Sequence, residues 1–228
     1  FEIDNAKVGV EKEFFLRDHL DGEITVPFCP ESELSGIGNK DFMYCVWYRR
    51  CFDLPEEWEG KEVILHFGAV DYHATVYING KKVCEHKGGY TPFSANITPF
   101  LKEGGNYVTV CAEDDTRSGN QPCGKQSGQL NSYGCFYTRT TGIWQTVWME
   151  AVDKAYIKNV NYTTDIHTGT VFLQVSVTNE ALGCDLHVGT SFSGASTGSA
   201  ATKVHSNEVS VAIPLSEKHL WGVGEGNL

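Results

Sequence analysis

The dipeptide Asn79-Gly80 stands between two short runs that alternate like strands, Ala74-Thr75-Val76-Tyr77-Ile78 and Lys81-Lys82-Val83-Cys84. It constrains the chain more than any other local feature. A two-residue hairpin of type I′ needs positive φ at both central positions, and Asn-Gly is the pair that reaches it with least strain. An antiparallel sheet is therefore expected here, and the flanking sequence repeats the pattern. Tyr44 to Leu54 reads as a long strand rich in aromatic and β-branched residues. Lys61 to Phe67 is a second, with Val63, Leu65 and Phe67 on one face and Ile64 and His66 on the other. Tyr107 to Glu113 is another, closed by Asp114-Asp115, and Trp144 to Val152 follows much later. Residues 1 to 21 show only weak periodicity, and no long amphipathic helix or internal repeat is present.

Between the strands at 107–113 and 144–152 lies a long polar loop. Its central part runs from Gln121-Pro122-Cys123-Gly124-Lys125-Gln126 to Tyr137-Thr138-Arg139-Thr140-Thr141-Gly142. Long loops inside compact domains are uncommon and are usually either functional or disordered. Lys125, Gln126, Tyr137 and Arg139 combine charge, amide and aromatic chemistry suited to a sugar. The stretch 121–133 is expected to be mobile when the chain is alone.

After Asp153-Lys154 the pattern changes to short alternating runs: 155–163, 170–178, 185–192, 201–204 and 208–213. Turns such as His167-Thr168-Gly169 and Ser193-Gly194 separate them. Regular short strands with turn punctuation predict an immunoglobulin-like sandwich. No convincing strand follows Pro214, so this sandwich is expected to lack its last strand. An open sheet edge invites pairing, so an edge-mediated dimer or a disordered C-terminus is expected. The predicted organisation is all-β, with one sandwich over 1–152 and a second over 153–228. A chain of 228 residues is long enough for both.

Composition narrows the function. Hydrophobic residues make up 41% and charged residues 21%, as in a soluble globular protein and unlike a disordered one. The net charge of −11 argues against nucleic acid as a partner. No apolar run approaches the roughly 18 residues that span a bilayer. The eight cysteines form no Cys-x-x-Cys pair and have no spaced His partners, so no metal site is assigned. Cys45, Cys51, Cys84 and Cys111 fall in strands and are expected to act as small buried hydrophobes. A reduced, cytoplasmic protein is expected, with a Cys123–Cys135 pairing left open. Asn96-Ile97-Thr98 and Asn161-Tyr162-Thr163 match glycosylation sequons, a pattern too short to carry weight.

A family resemblance rests on several motifs in order: Val26-Pro27-Phe28-Cys29-Pro30-Glu31-Ser32, Leu54-Pro55, Trp58-x-Gly60-Lys61, His66 to Tyr72, Val76-Tyr77-Ile78-Asn79-Gly80, Gly88 to Ser94, and Thr141 to Trp148. Together they resemble the N-terminal sugar-binding domain of glycoside hydrolase family 2, and residues 153–228 more loosely resemble that family's immunoglobulin-like second domain. The resemblance implies a jelly-roll first domain and a parent enzyme that is a retaining exo-β-glycosidase. It also implies a catalytic (β/α)₈ barrel of roughly 250 further residues. Both catalytic glutamates would lie in that barrel, so no catalytic residue and no cofactor is assigned to this chain. Its expected partners are the barrel, the parent's glycoside substrate and copies of itself. The other expectation is a free-standing carbohydrate-binding module.

In the family that this chain resembles, an aspartate at the end of the strand before the long loop can help bind the sugar or a cation. Asp115, and after it Asp114, fits that place. Lys125 and Gln126 match the family's Gly-Lys-Gln motif, although Cys123 stands where relatives commonly carry arginine. Tyr137 and Arg139 precede the Thr-Gly-Ile-Trp turn and complete the expected substrate-binding set. Retention needs two carboxylates about 5 to 5.5 Å apart across the sugar. Neighbouring residues on a strand point to opposite faces, so Asp114 and Asp115 cannot form such a pair. Trp144 and Trp148 are expected to share one face of their strand and to pack into the core, as Trp47 is.

Overall fold

The computed structural model describes residues 1–224. Fifteen strands and five single 3₁₀ turns make up its regular structure, and every strand pair with a described register is antiparallel. The chain is all-β, in two compact units, Phe1–Ala151 and Val152–Leu228.

The first unit holds β1 (Glu2–Ile3), β2 (Cys45–Phe52), β3 (Glu62–Phe67), β4 (Val70–Asp71), β5 (His73–Ile78), β6 (Lys81–Lys87), β7 (Phe93–Asn96), β8 (Asn106–Glu113), β9 (Gly142–Ile143) and β10 (Val147–Val152). They assemble into a five-stranded sheet β1-β2-β8-β5-β6, a three-stranded sheet β10-β3-β7 and a short pair β4-β9. The hairpin β5-β6 turns at Asn79 and Gly80 with φ of 51° and 79°, the left-handed geometry that this dipeptide predicts.

The core follows from alternation. Val46 and Tyr48 of β2, Val76 and Ile78 of β5, and Val110 and Ala112 of β8 share one cluster with Val63, Leu65 and Phe67 of β3. The other face of the five-stranded sheet carries Cys45, Trp47, Tyr77 and Cys111, which pack against Phe14 and Leu20. The weakly periodic opening segment is thus a cover. Asp4, itself buried, accepts from the Val8 and Gly9 backbone N–H groups at 2.9 and 2.6 Å, and Trp47 Nε1 donates to it at 3.2 Å. Gly9 is required at this place, because a Cβ would lie 2.4 Å from Trp47 Nε1.

Three expectations need correction. The strand expected over 144–152 begins only at Val147: β9, just before it, pairs with β4, the chain bends at Gln145, and β10 joins β3. Trp47 is a core residue, but Trp144 and Trp148 are not. Val147 and Met149 pack on the core, so alternation turns Trp148 outward, where it is 45% exposed, and Trp144 is only half-buried. Cys51 is exposed and Cys84 half-buried. The opening segment covers the outer face of the five-stranded sheet around Trp47 and Tyr77, and Cys51 belongs to none of the buried clusters. Cys123 and Cys135 are free, as are the other six cysteines.

The second unit holds β11 (Ile157–Asp165), β12 (Thr170–Val177), β13 (Asp185–Phe192), β14 (Ala195–Lys203) and β15 (Glu208–Pro214). Sheet β11-β12-β15 and hairpin β13-β14 enclose a separate core of Val175, Val177, Ala181, Leu186, Val204, Val209, Val211 and Ile213. β14 is longer than expected, because only Ser193 and Gly194, both at positive φ, form the turn. No strand follows β15 among the described residues, and Glu225 to Leu228, on which the expectation of a disordered C-terminus partly falls, lie outside them.

Candidate functional site

β8 delivers Asp114 and Asp115 to the root of the long loop. Asp114 is buried: Gln121 Nε2 donates to its Oδ1 at 2.6 Å and Thr141 Oγ1 to its Oδ2 at 3.1 Å. Burial is the main cause that lifts its pKa to about 6, against the pull of these two hydrogen bonds. Asp115 is half-buried and accepts from the Arg117 N–H at 3.2 Å, while its own N–H donates to Gln121 Oε1 at 3.1 Å. The two neighbours therefore play different parts. Asp114 closes the loop from inside, and Asp115 caps the turn after the strand.

A second buried carboxylate, Asp71 of β4, lies beneath Gly89. A Cβ on Gly89 would come within 2.5 Å of Asp71 Oδ1, so only glycine permits this approach. Gln126 Nε2 donates to Asp71 Oδ2 at 2.8 Å, and Gln126 Oε1 accepts from the Thr140 N–H at 2.8 Å. One buried glutamine thus ties the outgoing arm of the loop to the sandwich and to the returning arm. Burial first, then the nearby Asp114, pushes the Asp71 pKa up to about 7. Glu31 is the third buried carboxylate. It accepts from the Thr141 N–H at 3.2 Å, and burial raises its pKa. Asp71 Oδ1 and Glu31 Oε1 have no hydrogen-bond partner.

Arg139 completes the anchorage. It is buried, stacks over the Phe42 ring at 4.1 Å, and donates to the Ser127 and Leu130 carbonyls at 3.0 and 3.3 Å and to those of Gln129 and Lys40. Its planar fork suits several carbonyls at once. The two arms also zip together, the Ser127 N–H to the Tyr137 carbonyl at 2.7 Å and the Tyr137 N–H to the Lys125 carbonyl at 2.9 Å. Segment 125–139 is therefore tied to the sandwich by its own residues, against the expectation that 121–133 is mobile in the isolated chain.

The six sequence-derived residues thus fall into two groups. Gln126, Arg139 and Asp114 are buried and hold the loop, with Asp115 at its first turn. Lys125 and Tyr137 are exposed. Beside Tyr137 stands Tyr90, 58% exposed, whose hydroxyl pKa is pushed up to about 12, chiefly by its hydrogen bond with Tyr137. Trp144 meets Tyr90 edge-on at 5.8 Å and donates from Nε1 to the Gly89 carbonyl at 2.7 Å. On the other side of the root an open pocket of about 470 Å³ is lined by Glu31, Ser32, Lys40, Thr138 and Thr140, among others. Sequence reasoning missed Tyr90, Asp71, Glu31 and Gln121 as parts of this site. The first three lie in motifs already visible, Gly88 to Ser94, His66 to Tyr72 and Val26 to Ser32, and Gln121 opens the loop itself. Nothing local marks which of those residues face it.

The exposed rim offers an ammonium, two phenols and loop carbonyls, groups that can hydrogen-bond hydroxyls and stack on a sugar ring. Among the described residues no cluster of three His, Cys, Asp or Glu side chains could hold a metal ion. No helix among them is long and apolar enough to cross a membrane.

Residues 37–121 match the family model described as "Glycosyl hydrolases family 2, sugar binding domain", a match that stops where the loop's central part opens. A β-galactosidase of Thermoanaerobacter pseudethanolicus is 33% identical over 150 residues, which are 66% of this chain and 19% of that protein. A β-glucuronidase of Sus scrofa is 27% identical over 197 residues, 76% of this chain and 30% of that protein. The chain thus spans 19% to 30% of the length of these curated relatives. In fold it is similar to a β-glucuronidase from Ruminococcus gnavus solved in complex with D-glucaro-d-lactam. That TM-score is 0.73 at 20% identity, covering 97% of this chain and 38% of that one.

Proposed function

Because this chain belongs to glycoside hydrolase family 2 through its sugar-binding domain, we propose that it is the non-catalytic N-terminal portion of a retaining exo-β-glycosidase. Its task is to support a (β/α)₈ barrel and to shape the rim of the substrate pocket with the long loop. The observation that carries this reading is the division of labour in the loop. Buried Asp71, Asp114, Glu31, Gln126 and Arg139 hold it, and Lys125 and Tyr137 stay exposed. A loop anchored by that many buried polar groups is pre-organised, which lowers the entropy lost when a ligand binds. Lys125 and Tyr137 are the direct sugar contacts in this reading, and Gln126, Arg139, Asp114 and Asp115 position them. The carboxylates serve as buried or capping acceptors and leave hydrolysis to the barrel. The substrate class is a β-galactoside or β-glucuronide, by analogy with the names of the relatives. The compartment is the cytoplasm, in keeping with eight free cysteines.

The purified chain is expected to release no nitrophenol from nitrophenyl β-galactoside or β-glucuronide. Turnover that co-purifies with the chain through successive columns, and survives expression in a host without its own glycosidases, overturns the non-catalytic reading.

A further inference from the structure

On the outer face of the sheet β10-β3-β7, Trp148 lies flat on His66, with ring centroids 4.8 Å apart and an interplanar angle of 7°. His66 Nε2 is in turn 2.9 Å from Glu150 Oε1. We propose that this Trp148–His66–Glu150 stack is a binding platform for a pyranose ring of a neutral β-linked oligosaccharide. It stands on the sheet surface and not on the loop's residues.

The argument begins with alternation. Val63, Leu65 and Phe67 turn into the core, so Glu62, Ile64 and His66 face outward. Val147 and Met149 pack inward, so Trp148 and Glu150 face outward beside them. In register, Ser94 lies opposite His66 and Asn96 opposite Ile64. The face thus sets one exposed indole and the covered Ile64 among hydroxyl, amide, imidazole and carboxylate groups.

Trp148 is 45% exposed, which leaves apolar surface in water where a polar residue would fit the outward position. An exposed aromatic in a polar surround is the composition of a recognition site. His66 backs one face of the ring and Glu150 holds His66, so the indole is fixed before a ligand arrives. The free face suits the apolar C–H face of a pyranose. Glu150, whose side chain is 53% exposed, can accept from its equatorial hydroxyls.

Charge selects among sugars. Glu62 and Glu150 are both on this face, and the basic group between the strands, His66, is already paired with Glu150. Asn96 Nδ2 donates to Glu62 Oε2 at 2.5 Å, so the carboxylates are held in place. A uronate carboxylate would meet like charges at short range, while a neutral hexose would not.

Calorimetric titration of the whole chain with cellotetraose, β-1,4-galactotetraose and tetragalacturonate tests the proposal. Binding is expected for at least one neutral tetrasaccharide at millimolar concentration, with tetragalacturonate at least about tenfold weaker. Trp148→Ala should weaken the neutral ligand by about tenfold or more, and Trp148→Phe should retain part of the affinity. Phe172→Ala, which removes an exposed aromatic of β12 outside both sites, should leave it unchanged. Glu150→Gln should narrow the gap between neutral and uronic ligands. Circular dichroism melts of each variant confirm folding, and Trp148→Phe keeps the test open if Trp148→Ala unfolds. Absence of heat with both neutral ligands, affinity unaltered in Trp148→Ala, or affinity lost in Phe172→Ala in place of Trp148→Ala overturns the platform. The last outcome would leave the loop reading standing.

Discussion

Asp71 is the residue on which the pH response of the first unit turns. One of its oxygens is bound by Gln126, the other has no partner, and Gly89 closes over it. Its pKa rises from 3.8 to about 7, and that of Asp114 from 3.8 to about 6. A folded-state pKa above the unfolded one means that the folded state holds the proton more tightly. The contribution is then fully present below pH 3.8 and is lost as pH rises through about 6 and about 7. Thermal melts should therefore show Tm falling between pH 5 and 8. Asp71→Asn keeps an acceptor for Gln126 without the charge, so its Tm should exceed that of the unsubstituted chain at pH 8 and converge with it toward pH 5. A Tm gap that stays constant across this range would refute the assignment. Arg139 gives a second test at the same scale. Lysine cannot reach the carbonyls of Lys40, Ser127, Gln129 and Leu130 together, so Arg139→Lys leaves buried acceptors unpaired, at a cost of about 2 kcal/mol. Limited proteolysis followed by mass spectrometry should find new cuts within 121–139 and none in β2 or β8. Identical cleavage kinetics in the two proteins would show that the arginine does not hold the loop.

Among elements, β11 is the one whose environment is incomplete. Val160 pairs with Val175 and Tyr162 with Leu173, so these residues share the face of β12 that enters the second core. Yet Val160 is 42% exposed and Tyr162 73% exposed, because that core draws on β12, β13 and β15 and contains no β11 residue. Among the described residues β11 also has one hydrogen-bonded neighbour only, β12. An open edge with apolar side chains is a template for pairing. Sedimentation velocity should accordingly show association that grows with concentration, and Tyr162→Lys should shift the species toward monomer. A single monomeric species at every concentration would remove the case for an edge-mediated dimer.

At the scale of the whole molecule, much was readable in advance. The all-β class, the hairpin at Asn79-Gly80 and most strand positions follow from period-two alternation and turn chemistry. Both are local: a dihedral preference or a side-chain period acts over a few residues and needs no distant partner. Alternation also divides each strand into two faces, but it does not say which face another layer will cover. For β10 the tryptophans suggested one face and Val147 with Met149 took the core, which put Trp148 in solvent. The candidate site divides in the same way. That Lys125, Gln126, Tyr137 and Arg139 belong together was visible in their loop. That Gln126 and Arg139 are buried anchors while Lys125 and Tyr137 are exposed was decided by Asp71, Phe42 and Lys40, residues 55 and more positions away in the chain. Burial and pairing of that kind arise only from long-range packing, which is why composition could group these four residues in one loop and only the tertiary structure could decide which of them are buried.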